Sequence, residues 1–205
     1  MRQLLGVATP RGRGQDGVMP EDDVRSMVGS PLAFLWSDSV AEEAAAVFAA
    51  HALRIRERVP QVEIRHHGGT SVPGLLTSGD VDLHVRADAR WFEPARDLLS
   101  ELYQPVLRDE WDSEVAYFVA PGTQPPVEIV LTLSGSVDDL YHGEAWQQIM
   151  ADHDLAERYN ALKRSHEGGS IDDYKAAKRD FFHQIVRLLR STGQISTPKT
   201  GAQPG

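Results

Sequence analysis

One stretch constrains this chain more than any other: His67–Val85, HGGTSVPGLLTSGDVDLHV. Its first half is glycine, hydroxyl and proline. Its second half is an apolar run carrying two acids with one apolar residue between them. Strand side chains alternate, so Asp80, Asp82, His84 and Arg86 share one face, while Val81, Leu83 and Val85 share the other. Two carboxylates about 7 Å apart along a strand repel each other, and burying them unpaired is costly. An isolated Asp-x-Asp reads as the polar face of a solvated sheet edge. Two further features argue against that. In Pro126–Leu131 a single acid, Glu128, interrupts an apolar run, and a glycine-rich loop leads directly into the acidic strand. A divalent cation between Asp80 and Asp82 removes the repulsion, and hard oxygen ligands suit Mg²⁺ or Mn²⁺.

The loop Gly68-Gly69-Thr70-Ser71-Val72-Pro73-Gly74 directly follows a short strand expected to end at His67. Glycines let backbone N–H groups come close to a ligand and form an anion nest, to which Thr70 and Ser71 add hydroxyls. Gly69 and Gly74 have the glycine spacing of a Walker loop, but Leu75 and Leu76 stand where Lys and Ser/Thr are required, so that reading fails. The structural alternative is a tight turn.

Periodicity supplies the frame. Asp38–Arg58 places Val40, Ala44, Val47, Phe48 and Ile55 on one helical stripe, closed by Pro60. Strands are expected at Val62–His67, Val81–Val85, Val115–Ala120 and Val127–Leu133, and a helix at Trp91–Tyr103. The last two strands are joined too closely for a helix and so predict an antiparallel hairpin. Gly143–Met150, Leu155–His166 and Ile171–Leu189 have helical spacing. The order predicts a small mixed α/β sheet with helices packed on it and a helical C-terminal third, about 143–190. Residues 1–29 read as a flexible leader, 30–190 as one domain and 191–205 as a disordered tail.

The 205 residues carry a formal net charge of −9. That disfavours a long basic face and tight non-specific binding to duplex nucleic acid. The absence of cysteine excludes disulfides and thiolate chemistry and fits a cytoplasmic protein. No apolar run approaches the roughly 20 residues of a membrane span. His51, His142 and His153 have no zinc-like spacing.

A Gly-Gly strand end, ten residues, Asp-Val-Asp on a strand and a later third acid resemble the nucleotidyltransferase superfamily related to polymerase β. That resemblance implies that Gly68, Gly69, Thr70 and Ser71 hold an NTP, ATP by preference, and that Asp80, Asp82 and Glu128 hold two metal ions. The superfamily usually has Ser where this chain has Gly69, so Thr70 or Ser71 has to supply the hydroxyl. A narrower resemblance covers most of residues 32–190. HHGGTSVPGLLTSGDVDL is similar to the glycine stretch of the GrpB, or UPF0157, family. Tyr159-Asn160-Ala161-Leu162-Lys163 and Tyr174 to Phe182 look like that family's helical signature. Many members have one strand acid and a His-x-His near the third-acid strand, where this chain has a complete Asp-x-Asp and Glu128.

The resemblance implies a nucleotidyltransferase-like sheet. The expected activity is metal-dependent transfer of a nucleoside monophosphate to an acceptor, or activation of a carboxylate as an adenylate. The alternative is a non-catalytic nucleotide-binding or sensing domain on the same fold. Lys163 and Lys178, in the signature, are candidate phosphate contacts from the helical layer, with the ordinary surface lysine as the alternative. His66 is a candidate for positioning the loop, and His84 for a base or metal neighbour. Trp111 and Trp146 are open between base stacking and core packing, and Phe181 and Phe182 read as core. A small molecule or a protein is a better acceptor than a long nucleic acid.

Overall fold

The computed structural model describes residues 32–191. The leader expected at 1–29 and all but the first residue of the tail expected at 191–205 lie outside the described residues. Ser191 itself ends the last helix.

The chain opens with a two-residue strand, β1 (Leu35–Trp36), a 3₁₀ turn (Ser37–Ser39) and helix α1 (Ala41–Arg58). Ala44, Ala52 and Ile55 are the buried stripe of α1. Strand β2 (Glu63–His67) leads into a 3₁₀ turn at Gly69–Ser71, then β3 (Leu76–Thr77) and β4 (Val81–Ala87). Helix α2 (Phe92–Leu102) follows, then β5 (Gln104–Val106), β6 (Val115–Ala120) and β7 (Val127–Leu133). The helical part comprises α3 (137–151), whose middle segment Leu140–Glu144 is π-helical, α4 (His153–His166) and α5 (Ile171–Ser191). Asp152 caps α4, its side chain accepting from the N–H groups of Asp154 and Leu155.

Five strands form one mixed sheet in the order β2-β4-β7-β6-β5, and β1 pairs with β3 in a separate ribbon. β4 is parallel to β7 and antiparallel to β2, and β6 and β7 form the antiparallel hairpin the sequence predicts. The acidic strand is therefore central, between β2 and β7, and not a solvated edge.

Period-2 alternation gives the sheet two unlike faces. One carries Ile64, Val81, Leu83, Val85, Phe118, Ile129 and Leu131, buried under α1 and α2. The opposite face carries Asp82, His84 and Arg86, which register with His67, Arg65 and Glu63 on β2 and with Glu128, Val130 and Thr132 on β7. Helix α3 lies over this polar face: the His84 and His142 rings are 6.1 Å apart. The helical part has its own apolar core of Tyr141, Trp146, Tyr159, Phe181 and Phe182, and the loop residues Val72 and Leu75 enter it. Trp146 is thus core. Trp111 is half-buried against Phe118 and donates its indole N–H to the Val106 carbonyl.

Candidate functional site: three carboxylates at a glycine turn

The site forms where β2 turns into the loop and β4 begins. Register places Asp82 opposite His67 on one side and Glu128 on the other. Asp80 immediately precedes β4. Asp80, Asp82 and Glu128 each offer a carboxylate oxygen, and these atoms lie within 4.8 Å of one another. Asp80 and Asp82 are both 7% exposed, and Glu128 is half-buried. Three acids this close and this buried repel strongly unless a cation or protons intervene. All donors are hard oxygens, so the set fits Mg²⁺ or Mn²⁺.

The turn is shaped around those acids. Gly68 has φ of 77°, and a Cβ there would lie 1.5 Å from Oδ2 of Asp82. Only glycine lets the carboxylate rest against the turn. A Cβ at Gly69 would lie 2.7 Å from both Cβ and Oγ1 of Thr77. Thr77 thus fills the space into which a serine at 69 would project.

The loop hydroxyls are turned inward. Thr70 donates to the Asp80 carbonyl at 3.0 Å, and Ser71 to the Gly68 carbonyl at 2.8 Å. His66 Nε2 lies 3.1 Å from Thr70 Oγ1. Because a carbonyl can only accept, the threonine proton goes to Asp80, and His66 must donate its Nε2–H to Thr70. Burial lowers the His66 pKa to about 4, which keeps the ring neutral for this role. The ring also stacks on Phe48 at 4.8 Å. Ser78 donates its hydroxyl to Oδ1 of Asp80, and the Gly79 N–H donates to Thr77 Oγ1.

His84 is buried on the same face as Asp82 but faces a different set of partners. Its Nε2 lies 2.7 Å from Thr132 Oγ1, which in turn donates to Asp139 at 3.2 Å, so His84 donates to Thr132. Burial first, and then the neighbouring His67, His142, Arg86 and Arg65, hold its pKa well below the ordinary imidazole value.

The helical part grips the loop. Asn160 accepts from the Leu76 N–H at 2.8 Å and donates to the Gly74 carbonyl at 2.9 Å. Lys163 donates to the Leu76 carbonyl and sits 4.4 Å from the Tyr159 ring centroid. Lys163, Lys175 and Lys178 are all buried, so the surface-lysine alternative does not hold. Sequence reasoning misses Thr77, Asp139 and the role of Asn160. Asn160 offers one signal, a polar residue inside the Tyr159–Lys163 signature; the other two depend on strand register.

A mixed sheet that gathers three carboxylates around a glycine turn, with a helical layer clamped on the loop, defines an α/β protein with an oxygen-donor site. The chain belongs to the GrpB family, whose model, described as GrpB protein, matches residues 33–188. A UPF0157 protein of Vibrio cholerae serotype O1 is 24% identical over 160 residues, covering 78% of this chain and 85% of that protein. The crystal structure of conserved protein GrpB from Enterococcus faecalis is similar with a TM-score of 0.56 and 16% identity, over 72% of this chain and 94% of that one. A weaker likeness, TM-score 0.41 and 14% identity over 60% of this chain and 40% of the other, is to the Cid1 poly(U) polymerase.

Proposed function

We propose that this protein is a metal-dependent nucleotidyltransferase that moves a nucleoside monophosphate from an NTP, ATP by preference, to an acceptor. The observation that carries this is the gathering of Asp80, Asp82 and Glu128 within 4.8 Å at the glycine turn. Those three side chains would hold Mg²⁺ or Mn²⁺, which supplies charge neutralisation at the phosphates and a lowered pKa at the attacking group. The acceptor oxygen or nitrogen attacks the α-phosphorus. The bond from that phosphorus to the bridging oxygen breaks, pyrophosphate leaves with the electron pair, and the acceptor proton passes to Glu128.

Thr70 and Ser71 donate their hydroxyl protons to main-chain carbonyls. They therefore serve the phosphates by fixing the turn whose N–H groups, at Gly68 and Gly69, make the contact. Lys163 and Lys178 bring positive charge from the helical layer. His66 holds the loop through Thr70, and His84 belongs to the Thr132–Asp139 set beneath it. Among the described residues no helix is long and apolar enough to cross a membrane, and the cysteine-free chain suits the cytoplasm.

The test is a thermal-shift panel of ATP, GTP, CTP and UTP with Mg²⁺ or Mn²⁺, on wild type and Asp80→Asn/Asp82→Asn. A ligand at about 100 times its Kd stabilises by about 2.7 kcal/mol. A metal-dependent rise in melting temperature that vanishes in the double variant is expected. No shift with any nucleotide at millimolar concentration sinks the reading. A shift without pyrophosphate release across an acceptor panel makes the protein a nucleotide-binding domain instead.

A further inference from the structure

Asn160 and Lys163, which grip the loop, lie on the second half of α4. The first half borders an open groove of about 360 Å³ between α4 and α5. One wall carries Asp152, Leu155 and Arg158, whose spacing of three puts them on one face of α4. The other carries Phe181, Ile185 and Leu188, on one face of α5. Four residues, 167–170, join the two helices, so they run antiparallel. The Arg158 guanidinium lies 5.8 Å from the Phe181 ring centroid, which marks one end of the groove. Asp152 lies about 9 Å back along α4 and Leu188 about 10 Å onward along α5, and these two mark the other end.

The two ends differ in shape and in charge. Leu188 is 63% exposed and stands out as an apolar knob, whereas Phe181 and Ile185 are sunk at 7% and 6%. Asp152 and Arg158 are exposed charges of opposite sign. Asp152 caps α4 through one carboxylate oxygen, and its second oxygen can accept from a guanidinium. The face thus sets a knob opposite a hollow along α5, and an anion opposite a cation along α4. A surface of that kind is its own complement under a two-fold turn.

We propose that this face is an interface and that its occupant is a second copy of this chain. The two-fold axis lies in the plane of contact and runs across the groove. It stacks each α4 on its copy and each α5 on its copy, both antiparallel, with Leu155 and Ile185 at the centre. Each Leu188 packs on the Phe181 of the other copy, and each Asp152 meets the Arg158 of the other copy. An axis along the groove does not serve, because it sets Asp152 against Leu188 and buries the carboxylate without a cation. The contact is a bundle of four helices.

Analytical ultracentrifugation of the full chain tests this. Wild type is expected to reach twice the mass of the 205-residue chain, reversibly with concentration. Leu188→Asp, at an exposed position, is expected to weaken the dimer at least tenfold, because each substitution enters a two-fold contact twice. Arg158→Glu sets a second acid against Asp152, and Asp152→Arg sets two arginines together, so each alone is expected to be monomeric. Mixed in equal amounts the two are expected to form a heterodimer, since both of its charge pairs are then of opposite sign. Circular dichroism establishes that each variant is folded. If loss of the α4 cap unfolds Asp152→Arg, Leu188→Asp and Arg158→Glu decide the matter. A wild type still monomeric at about 100 μM overturns the proposal. If Ile195→Ser then dimerises, the occupant is instead the segment after Ser191, in which Ile195 is the one large apolar residue. A dimer indifferent to Leu188→Asp also overturns the proposal, since another face must hold it. Folded charge variants that do not combine overturn the pairing of Asp152 with Arg158, and the axis with it.

Discussion

The two faces of the sheet are built from the same strands and are held by different physics. Leu83 and Val85 are fully buried on one face, under α1 and α2. Their burial is non-directional and scales with area. His84 is 1% exposed on the other face, under α3. There, buried groups are stable only if each finds a partner of the right direction: Arg86 holds Asp139 bidentately, and Asp139 also accepts from Thr132 and from the Gly135 N–H. The apolar face tolerates small shifts. The polar face fixes geometry, and Asp82, at its end, inherits that geometry. A site that must place three carboxylates within 4.8 Å of one another is served by the second kind of support.

The sharpest way to break this comparison is to remove one partner from the polar face. Asp139→Ala leaves Arg86 and Thr132 without their acceptor and is expected to cost about 3–5 kcal/mol, read from urea midpoints. Replacing both partners, as in Arg86→Met/Asp139→Leu, is expected to recover most of that loss. A double variant as unstable as the single one would show that packing, and not directional pairing, holds α3 to the sheet. On the apolar face, Leu83→Ala is expected to cost about 3 kcal/mol through lost burial and a cavity. It should leave the metal-dependent nucleotide binding proposed above unchanged in the protein that remains folded.

A third variant probes how closely α3 approaches. A Cβ at Gly143 would lie 3.2 Å from Cε1 of His84. Gly143→Ala is expected to cost about 1–3 kcal/mol by overpacking. A stabilised Gly143→Ala, by contrast, would mean that the π-helical segment has room to move.

Much of this contrast is legible in the amino-acid sequence alone. Val115–Ala120 and Val127–Leu133 have the bounds expected of them, because both strands carry apolar runs ended by turn residues. The shared face of Asp82, His84 and Arg86 follows from period 2 alone. What escapes depends on partners far away in sequence. β5 contains a proline and is three residues long, so it has no periodic signal and exists because β6 offers an edge. The β1–β3 ribbon has two residues per strand, too few for any pattern. Lys163 shows the same limit: its position on a polar helix resembles a surface lysine, and only the Leu76 carbonyl, 87 residues earlier, makes it interior.

The smallest expected effect tests whether the loop hinge obeys the same directional rule as the polar face. His66 has a folded-state pKa of about 4, against an ordinary value of 6.5, because burial disfavours its charged form. Between those values the unfolded chain binds a proton that the folded chain refuses. Stability from this group is therefore complete above about pH 6.5 and declines as pH falls towards 4, where the decline ends. Since the ring is only partly buried, solvent screening limits the loss to the order of 1 kcal/mol. His66→Gln keeps an N–H donor for Thr70 but cannot titrate. Urea midpoints measured near pH 7 and pH 4.5 should differ less in this variant than in wild type, while the proposed nucleotide binding, measured near pH 7, stays close to that of wild type. If the pH slope is unchanged, the acid sensitivity belongs to other groups. If the slope flattens but nucleotide binding collapses, the imidazole does more at the turn than donate to Thr70.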